Sequence, residues 1–553
     1  MIGFAAGAGF LLFGYDQGVM GGLLTLPSFV AVFPEIDTTT GSGTNAKSHQ
    51  ATLQGVAVGL YEIGCFIGAI SCLWLGDGLG RRPVIWIGTI IMMIGATIQC
   101  SSFSLAQLIV GRIVTGVGNG MHTATIPVWQ SECSPPHKRG MLIMVEGALI
   151  TGGICMSYWI DFAFYWLDPS SRYATGNFNL ADFPHASAAW RVPIAFQILL
   201  CIPTLITIWM PESPRWLMLK GREEEARSVL ASLDQVNIHD PIITLKANEI
   251  RESIEEANRK GLGDLFKQGK ERNFHRTALG FVIQMYQQIS GINLITYYAA
   301  TIFQNNLGFS PLISRIVAAA NGTEYFLASW IAVYTIEHFG RRKLMIFGAI
   351  GMSACMAILT GCTSKAALDP VGGVASNKAQ NAAPGYVAVV FLFLFNTFFA
   401  IGWLGMTWLY PAEITPLSIR AAANGISTSA NWLFNFMVVL ITPIAFANIS
   451  NYTYLIFAVI NALIAVTSWW IFPETAGRSL EEMDGIFAQA SMLDPYDVVR
   501  IEKRTPRRYG TDGKLLDADN ILSEQGEGGM HEKKANAGGK DALVQTRSAD
   551  SSM

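Results

Sequence analysis

The chain has 553 residues, of which 51% are hydrophobic and 14% are charged, and its mean hydropathy is +0.34. Soluble domains carry about 25% charged residues, so this composition excludes an ordinary soluble protein and indicates an integral membrane protein. The net charge of −3 gives no general attraction for nucleic acid. The eight cysteines lie almost all within apolar runs, a spacing that predicts neither a disulfide framework nor a zinc site.

Twelve apolar runs are each long enough to cross a bilayer, which takes about 20 residues per helix. They occupy about 2–24, 52–75, 84–102, 105–128, 141–166, 191–211, 275–303, 312–336, 343–363, 384–411, 421–447 and 452–472. The first run continues as a full span with no cleavage site, so no cleavable signal peptide is expected. A charged cytosolic leader before Met1 is left open.

The order of the runs predicts four parts. They are a block of six spans (1–211), a polar linker (212–272), a second block of six spans (273–472) and a polar tail (473–553). Helical periodicity in the linker, at residues 221–233, predicts short surface helices. From about residue 495 the tail has few large apolar residues, a composition that predicts disorder.

Clusters of basic residues fall on one side of a twelve-span arrangement. They are Gly80-Arg81-Arg82, His137-Lys138-Arg139, Arg215 with the 222–272 loop, Gly340-Arg341-Arg342-Lys343, and Arg420. By the positive-inside rule this side is cytosolic. The linker and the tail are therefore predicted to lie in the cytosol.

The chain also contains an internal repeat with three landmarks in the same order. They are Gly80-Arg81-Arg82 with Gly340-Arg341-Arg342, Glu132 to Arg139 with Glu413 to Arg420, and Pro211-Glu212 with Pro473-Glu474. Three matches in register indicate two six-span bundles of common descent. Transporters built from repeats place their solute site between the repeats, near the middle of the membrane.

The seventh run carries an unusual set of polar side chains at residues 284–298, including Gln287, Gln288 and Asn293. Amides are costly in hydrocarbon unless they are paired. Helical spacing places Gln284, Gln288 and, more loosely, Asn293 along one side, and Gly291 weakens the helix between them. Hydrogen bonding between helices explains any single amide, whereas the whole cluster favours a site for a hydroxyl-rich solute.

Several motifs together resemble the sugar porter family of the major facilitator superfamily, across roughly residues 1–490. They are the Phe13–Gly18 segment, Gly80-Arg81-Arg82, Gly111-Arg112 with Gly116, Gly118 and Gly120, PESPRW at 211–216, the Gln287–Tyr298 stretch, Tyr410-Pro411-Ala412-Glu413 with Arg420, and PETAGRSLEE at 473–482. The resemblance implies an all-α membrane protein with twelve transmembrane helices in two pseudo-symmetric six-helix bundles and a cytosolic helical linker. The sequences of several motifs are similar to those of the fungal branch, which contains hexose and pentose carriers and the yeast glycerol–proton symporter.

The resemblance also implies roles for residues that match family motifs. Gln287, Gln288 and Asn293 match amides that bind sugar hydroxyls, and Tyr297 and Tyr298 match tyrosines that help close the outer gate. Two further matches are Trp408, under the sugar ring, and Asn431, an amide followed by Trp432.

Other positions depart from the family pattern or have two readings. Helix 5 of many members has a sugar-binding Gln where this chain has Gly152-Gly153-Ile154-Cys155, and helix 10 has Gly405-Met406-Thr407 in place of prolines. In helix 8, Tyr325 stands where an Asn is usual. The glycines of the fourth run favour close helix packing over solute contact. Phe13 is equally suited to the apolar face of a sugar and to an ordinary core position.

Asp16 and Arg112 are the ionisable residues deepest in the first four runs. A charge at mid-bilayer costs about 2.5–3.5 kcal/mol on insertion scales, and opposite charges offset this cost if they meet. One interpretation is a structural ion pair. The other resembles the proton-coupled members of the family, in which protonation of Asp16 releases Arg112 and lets the first bundle close around sugar.

A set of charged residues at the predicted cytosolic helix ends has the spacing of a salt-bridge lock. The set is Arg81, Arg82, Glu132, Arg139, Arg341, Arg342, Glu413 and Arg420. Such a lock would hold the outward-open state and break in the inward-open state. The alternative is that the basic residues only mark topology.

The leading hypothesis is a plasma-membrane, multi-pass proton–monosaccharide symporter that acts as a monomer, with sugar, proton and lipid as its partners. The alternatives are a passive uniporter, a carrier of a polyol, glycerol or quinate, and a sugar sensor that signals through its tail. No P-loop, metal cluster or catalytic triad is found in the sequence, so neither an enzyme nor a cofactor is expected.

Overall fold

The computed structural model describes residues 2–38, 44–134, 139–169, 185–258, 262–269, 271–364, 383–416, 419–478, 480–491 and 494–506. These residues form helices joined by loops, with no β-strand among them. The described part of the chain therefore agrees with the all-α prediction.

The first half of the chain contains seven α-helices before the linker. They are α1 (Ile2–Leu23), α2 (Pro27–Val30), α3 (Thr44–Leu79), α4 (Arg81–Cys100), α5 (Leu105–Glu132), α6 (Arg139–Tyr165) and α7 (Ala188–Leu205). The linker contains α8 (Pro214–Leu219), α9 (Glu223–Asp234) and α10 (Pro241–Asn258), which confirms the prediction of short helices there. Short 3-10 turns occur at Pro34–Ile36, Ile206–Trp209 and Leu262–Phe266.

The second half has a similar series of long helices, two of which are interrupted. They are α11 (Asn273–Ile289), α12 (Ile292–Thr301) with a π-helical turn (Ile302–Asn306), α13 (Pro311–Phe339), α14 (Arg341–Cys362), α15 (Ala383–Phe399) with a π-helical turn (Ala400–Leu404), α16 (Met406–Ile414), α17 (Arg420–Ile449) and α18 (Tyr452–Ile471). Two further helices, α19 (Leu480–Gln489) and α20 (Pro495–Arg504), follow.

Local sequence signals begin several of these helices. The side chain of Ser310 accepts a hydrogen bond from the backbone N–H of Ile313, and Pro311 occupies the first position of α13. Ser213 and Pro214 begin α8 in the same way. A serine cap satisfies a backbone donor that has no partner within the helix, and proline has no such donor to satisfy.

Nine helical segments in the described residues are long and apolar enough to cross a membrane. The predicted runs at 2–24, 105–128 and 275–303 also form helices. Asp16 and Arg112 lower the hydropathy of the first two runs, and the third run is divided into α11 of 17 residues and α12 of 10 residues. Helix is thus present at every predicted position, while the count of twelve membrane spans stays a prediction.

Among the described residues, three helix pairs make most of the packing between the first half of the chain and the second. α1 packs against α12, α3 lies along α17, and α6 packs against α13. A Cβ atom added to Gly55 of α3 would lie 2.5 Å from the carbonyl oxygen of Leu440 on α17. The two backbones approach this closely because glycine has no side chain.

The glycines of the fourth run serve close helix packing, as the sequence predicts: Gly116 and Gly120 face α3, and Gly111 and Gly118 face α4. A Cβ atom at Gly116 would lie 2.1 Å from the carbonyl oxygen of Tyr61, and one at Gly120 would lie 2.0 Å from that of Cys65. These contacts are too close for any larger residue, so the glycines bring Arg112 of α5 against the backbone of α3.

The predicted disorder from about residue 495 is wrong for α20. The side chain of Asp494 caps this helix by accepting a hydrogen bond from the N–H of Tyr496, and Val498 and Val499 are fully buried. The helix forms because its two adjacent valines meet a packed surface that composition does not reveal. Residues 507–553 of the predicted disordered tail lie outside the described residues.

Candidate functional site

The polar seventh run is divided at Gly291. This residue has a φ of +96°, a left-handed conformation that favours glycine, and it separates α11 from α12. An added Cβ atom would lie 2.8 Å from the ring of Phe457. The prediction that Gly291 weakens the helix is confirmed, and the break turns Asn293 towards the amides at the end of α11.

The six residues predicted to bind substrate line one space between the two halves of the chain, which we call the central cavity. Its volume is about 40 Å³, and these six residues are Phe13, Gln287, Gln288, Asn293, Trp408 and Asn431. Tyr325 of α13 also lies on its wall. Phe13 is packed edge-to-face on Trp432 at 5.3 Å between ring centroids, so it is both a wall residue and a core aromatic.

The amides of the central cavity are joined in a hydrogen-bond network across helices. Asn431 of α17 donates to Gln284 Oε1 at 2.6 Å and to Gln287 Oε1 at 2.7 Å. Gln287 Nε2 in turn donates to the carbonyl oxygens of Trp403 and Leu404 at 3.1 Å. These two carbonyls belong to the π-helical turn before Gly405, so this turn provides acceptors for the site.

A second branch of the network includes a residue that sequence reasoning missed. Asn293 donates to Asn435 Oδ1 at 2.7 Å and also donates to Gln288 Oε1. Asn435 lies one helical turn after Asn431 on α17. This i, i+4 spacing is the sequence signal that could have identified it. A network of this kind holds each amide in one orientation towards the cavity.

A second space, the inner cavity, adjoins the central cavity on the side of the linker. Its volume is about 60 Å³, it shares Ile150 and Trp408 with the central cavity, and Gln284 and Ser427 line it. Gln284 precedes the central amides on α11, which rises from the linker, and Ser427 lies near the start of α17. Glu146 of α6 also lines this space and was not predicted.

The side chains of Asp16 on α1 and Arg112 on α5 meet inside the first half of the chain, away from solvent. Arg112 Nη1 lies 3.6 Å from Asp16 Oδ1, and both side chains are 0% exposed. Arg112 Nη2 donates to the carbonyl oxygen of Val58 at 3.1 Å, and its guanidinium lies 4.5 Å from the ring centroid of Tyr61. Neither oxygen of Asp16 has a hydrogen-bond partner among the described residues, so charge attraction is its principal tie.

The two predicted gate tyrosines of α12 are buried and hydrogen-bonded. Tyr298 donates to the carbonyl oxygen of Val439 at 3.0 Å, and Tyr297 donates to Glu62 Oε1 across the two halves. Glu62 is fully buried and lies one turn after Val58 on α3. Sequence reasoning missed Glu62 because a single acid inside an apolar run does not reveal which way it faces.

Comparison with known proteins identifies the family. The sequence profile of the sugar (and other) transporter family matches residues 2–487. The chain belongs to the sugar (and other) transporter family. It is 37% identical over 495 residues to the sugar transporter STL1 of Saccharomyces cerevisiae, covering 88% of this chain and 80% of that protein. It is also 37% identical over 504 residues to the MFS-type transporter oryC of Aspergillus oryzae, covering 90% and 87%.

A solved structure of another protein has the same fold as this chain. The MFS proton:xylose symporter XylE of E. coli, bound to 6-bromo-6-deoxy-D-glucose, matches with a TM-score of 0.70 and 26% identity, covering 88% of this chain and 98% of XylE. The transporter is therefore a multi-pass helical protein of the plasma membrane with the major facilitator fold. Its family is one of membrane transporters and not of enzymes.

The cytosolic charges of the transporter form two equivalent clusters, one in each half. Arg81 Nε donates to Glu132 Oε2 at 3.1 Å, and Arg341 Nε donates to Glu413 Oε2 at 3.2 Å. The backbone N–H of Arg81 also donates to Glu212 at 3.2 Å. The equivalent backbone bond in the second half runs from Arg341 to Glu474 at 2.8 Å, so the sequence repeat is also a repeat of structure.

The clusters contain two carboxylates that the predicted set omitted, Glu212 and Glu474. Burial raises the pKa of Glu212, and the backbone donors around it oppose that rise. Gly80 and Gly340, with φ of +107° and +85°, let these carboxylates approach the starts of α4 and α14. A Cβ atom at either glycine would lie within 2.6 Å of a carboxylate oxygen.

Three of the remaining members of the predicted lock, Arg82, Arg342 and Arg420, bond to backbone carbonyls. Arg82 donates to the carbonyl of Met210 at 2.9 Å, and Arg342 donates to that of Trp469. Arg420 donates to Thr415 at 3.0 Å. Arg139 lies at the first position of α6.

Proposed function

We propose that the transporter is a proton-coupled symporter that imports a monosaccharide, a hexose or a pentose, by alternating access. The observation that carries this proposal is the central cavity between the two halves, with amides on one wall and Trp408 on another. XylE, a proton:xylose symporter, supports the same solute class. We assign no catalytic activity and no cofactor to the chain.

The chemistry of the cavity suits a neutral sugar. Each amide offers both donors and an acceptor, and each sugar hydroxyl also does both. Gln287, Gln288, Asn293 and Asn431 would pair with hydroxyls, and an indole such as Trp408 suits the C–H face of a sugar ring. The lining contains no cationic side chain, which argues against an anionic solute such as quinate.

Proton coupling would use Asp16 and Arg112. While Asp16 is ionised it attracts Arg112 across 3.6 Å, and when it is protonated this attraction disappears and frees the guanidinium. Arg112 reaches both α1 and α3, so its release would alter the packing of the first half of the chain. A purely structural pair would not make transport depend on the proton gradient.

Alternating access would open the two ends of the cavity in turn. In this conformer Tyr297 and Tyr298 are buried, and the inner cavity shares Ile150 and Trp408 with the central cavity. The opposite state would break the bond between Tyr297 and Glu62. The clusters around Arg81 and Arg341 would act as the predicted lock, with the unit acting as a monomer.

The division of the chain follows from the same mechanism. Residues 1–211 and 273–472 would be the two moving bundles, residues 212–272 the cytosolic linker, and residues 473–553 the cytosolic tail. The ion pair between Arg276 of α11 and Asp484 of α19 would attach the first part of the tail to the second bundle.

The test is uptake of a panel of labelled glucose, xylose, galactose, glycerol and quinate in a transporter-deficient yeast, with and without an uncoupler. A symporter should accumulate at least one sugar above the external concentration and alkalinise the medium as it does so. Uptake that an uncoupler leaves unchanged would instead establish a uniporter. Uptake of glycerol alone would assign a polyol, and the absence of uptake of every compound would favour a sensor.

A further inference from the structure

Glu146 lies on the wall of the inner cavity. It has no hydrogen-bond or ion-pair partner among the described residues. It is 4% exposed, and its Oε1 atom is buried with no hydrogen-bond donor among the described residues. No ion pair found in the described part of the chain includes it. A Cβ atom added to the neighbouring Gly147 would lie 3.6 Å from the Cα atom of Gly405 in the second half, so the carboxyl group lies where the two halves meet.

A buried carboxylate needs a hydrogen-bond donor or a counter-charge. Burial of a carboxylate without hydrogen bonds or a counter-charge is strongly unfavourable, and two other buried acids of the first half have a partner. Asp16 has Arg112 and Glu62 has Tyr297. Because one face of Glu146 is open to the inner cavity, a solute in that cavity can supply its missing donors.

The other walls of the inner cavity indicate the chemistry of this solute. Asn424, Ser427 and Thr428 lie opposite Glu146, and Asn424 Oδ1 also lacks a hydrogen-bond partner among the described residues. These groups offer amides and hydroxyls, as in the central cavity, and Trp408 lines both spaces. A carboxylate can accept two hydrogen bonds at once, which suits two neighbouring hydroxyl groups.

We propose that Glu146 is the substrate-binding residue of an inner site, on the cytosolic side of Trp408, which accepts hydrogen bonds from vicinal hydroxyls of a neutral sugar or polyol. The inner site holds the solute between the central cavity and the cytosol. This inference rests on the proposed function, since it assigns a second binding site to the same solute.

The test measures sidedness with the purified full-length chain in proteoliposomes. Glu146→Leu removes the acceptors, and Glu146→Gln keeps the shape of the side chain with one acceptor. Glu324→Gln is the matched control, because Glu324 is another partly buried acid of the membrane region that accepts a hydrogen bond from Thr397 and lies outside both cavities. Binding of radiolabelled xylose, glucose and glycerol to detergent-purified protein is measured alongside.

The inner site predicts that Glu146→Leu raises the KM for entry from the cytosolic side about tenfold, the usual effect of losing a charge-assisted hydrogen bond. The KM for entry from the outer side should change by less than about twofold, which is the size of effect that a surface substitution has. Glu146→Gln should lie between Glu146→Leu and wild type, and Glu324→Gln should match wild type on both sides.

Four results would overturn the inner site. They are an unchanged cytosolic-side KM, an equal loss on both sides, a loss of dependence on internal pH with both KM values unchanged, and competition by an organic amine instead of a polyol. If wild type binds a sugar without proton-driven uptake, the proposed symport fails, and the binding assay with Glu146→Leu still decides the inner site. If wild type binds none of the three solutes, both proposals fail.

Discussion

Asp16 is a carboxylate held by charge with little directional bonding. Its nearest guanidinium nitrogen is 3.6 Å away, which is longer than an ordinary hydrogen bond, and its two oxygens have no donor among the described residues. A group held this loosely can take up a proton without first breaking a network. Glu62 differs, because the hydroxyl of Tyr297 already occupies one of its oxygens.

We expect Asp16→Asn to abolish uphill uptake and to leave exchange of sugar across the membrane. The asparagine has nearly the same shape but no charge, so Arg112 is released permanently and the proton no longer controls the cycle. Accumulation in whole cells and counterflow in proteoliposomes measure the two activities. Asp16→Glu, which keeps the charge, is the matched control, and full accumulation by Asp16→Asn would exclude the coupling role.

At the scale of an element, the break between α11 and α12 decides the shape of the site. An unbroken helix would carry Asn293 past Gln288 along a straight line, whereas the left-handed Gly291 redirects the chain after one residue. The two amides then come within hydrogen-bond distance. The π-helical turn at Ala400–Leu404 has the matching effect on the facing helix, since it frees carbonyls that Gln287 binds.

Gly291→Ala should therefore lower both stability and solute affinity. A side chain at a φ of +96° is strained, which costs about 1–3 kcal/mol, and its Cβ atom would also displace Phe457. Thermal unfolding in detergent and sugar binding measure the two effects. Gly361→Ala serves as the control, because nothing lies within 4 Å of an added Cβ atom there; equal behaviour of the two variants would show that the break is dispensable.

For the whole molecule, the repeat places equivalent charge clusters at the cytosolic end of each half. Each cluster ties the start of one helix to the end of another through an arginine and a glutamate, Arg81 with Glu132 and Arg341 with Glu413. Each of these two bonds lies within one half. The clusters would therefore act by keeping each half rigid at the end where the halves meet and separate.

Charge reversal at Glu132 should shift the balance between the outward-open and inward-open states. Glu132→Arg places two cations together at a partly buried site, and loss of the charged hydrogen bond alone is worth about 1.5–3 kcal/mol, or a change of roughly tenfold or more in the equilibrium. Distances between spin labels at the outer ends of α1 and α13 report this balance. Glu225→Arg, in a largely exposed pair with Arg222, should leave it unchanged, and unaltered distances in Glu132→Arg would count against the lock.

The sequence by itself determined the membrane class, the repeat and most of the central cavity. Hydropathy and basic clusters are local properties, so they can be read without packing. The amides at 284–298 stood out because polar groups are rare in an apolar run, and the matching motifs placed Trp408 and Asn431 with them. The positions of Asp16 and Arg112 followed from their depth in the first and fourth runs.

The tertiary structure alone decided which acids of the apolar runs face the transport path, how the amides pair, and where the tail packs. Glu62 and Glu146 each look like an isolated charge in a helix, and the face that such a residue presents depends on neighbours far away in the chain. The helix α20 likewise depends on a distant surface that covers Val498 and Val499. Burial arises from contacts between separate helices, and for that reason one run of sequence does not contain it.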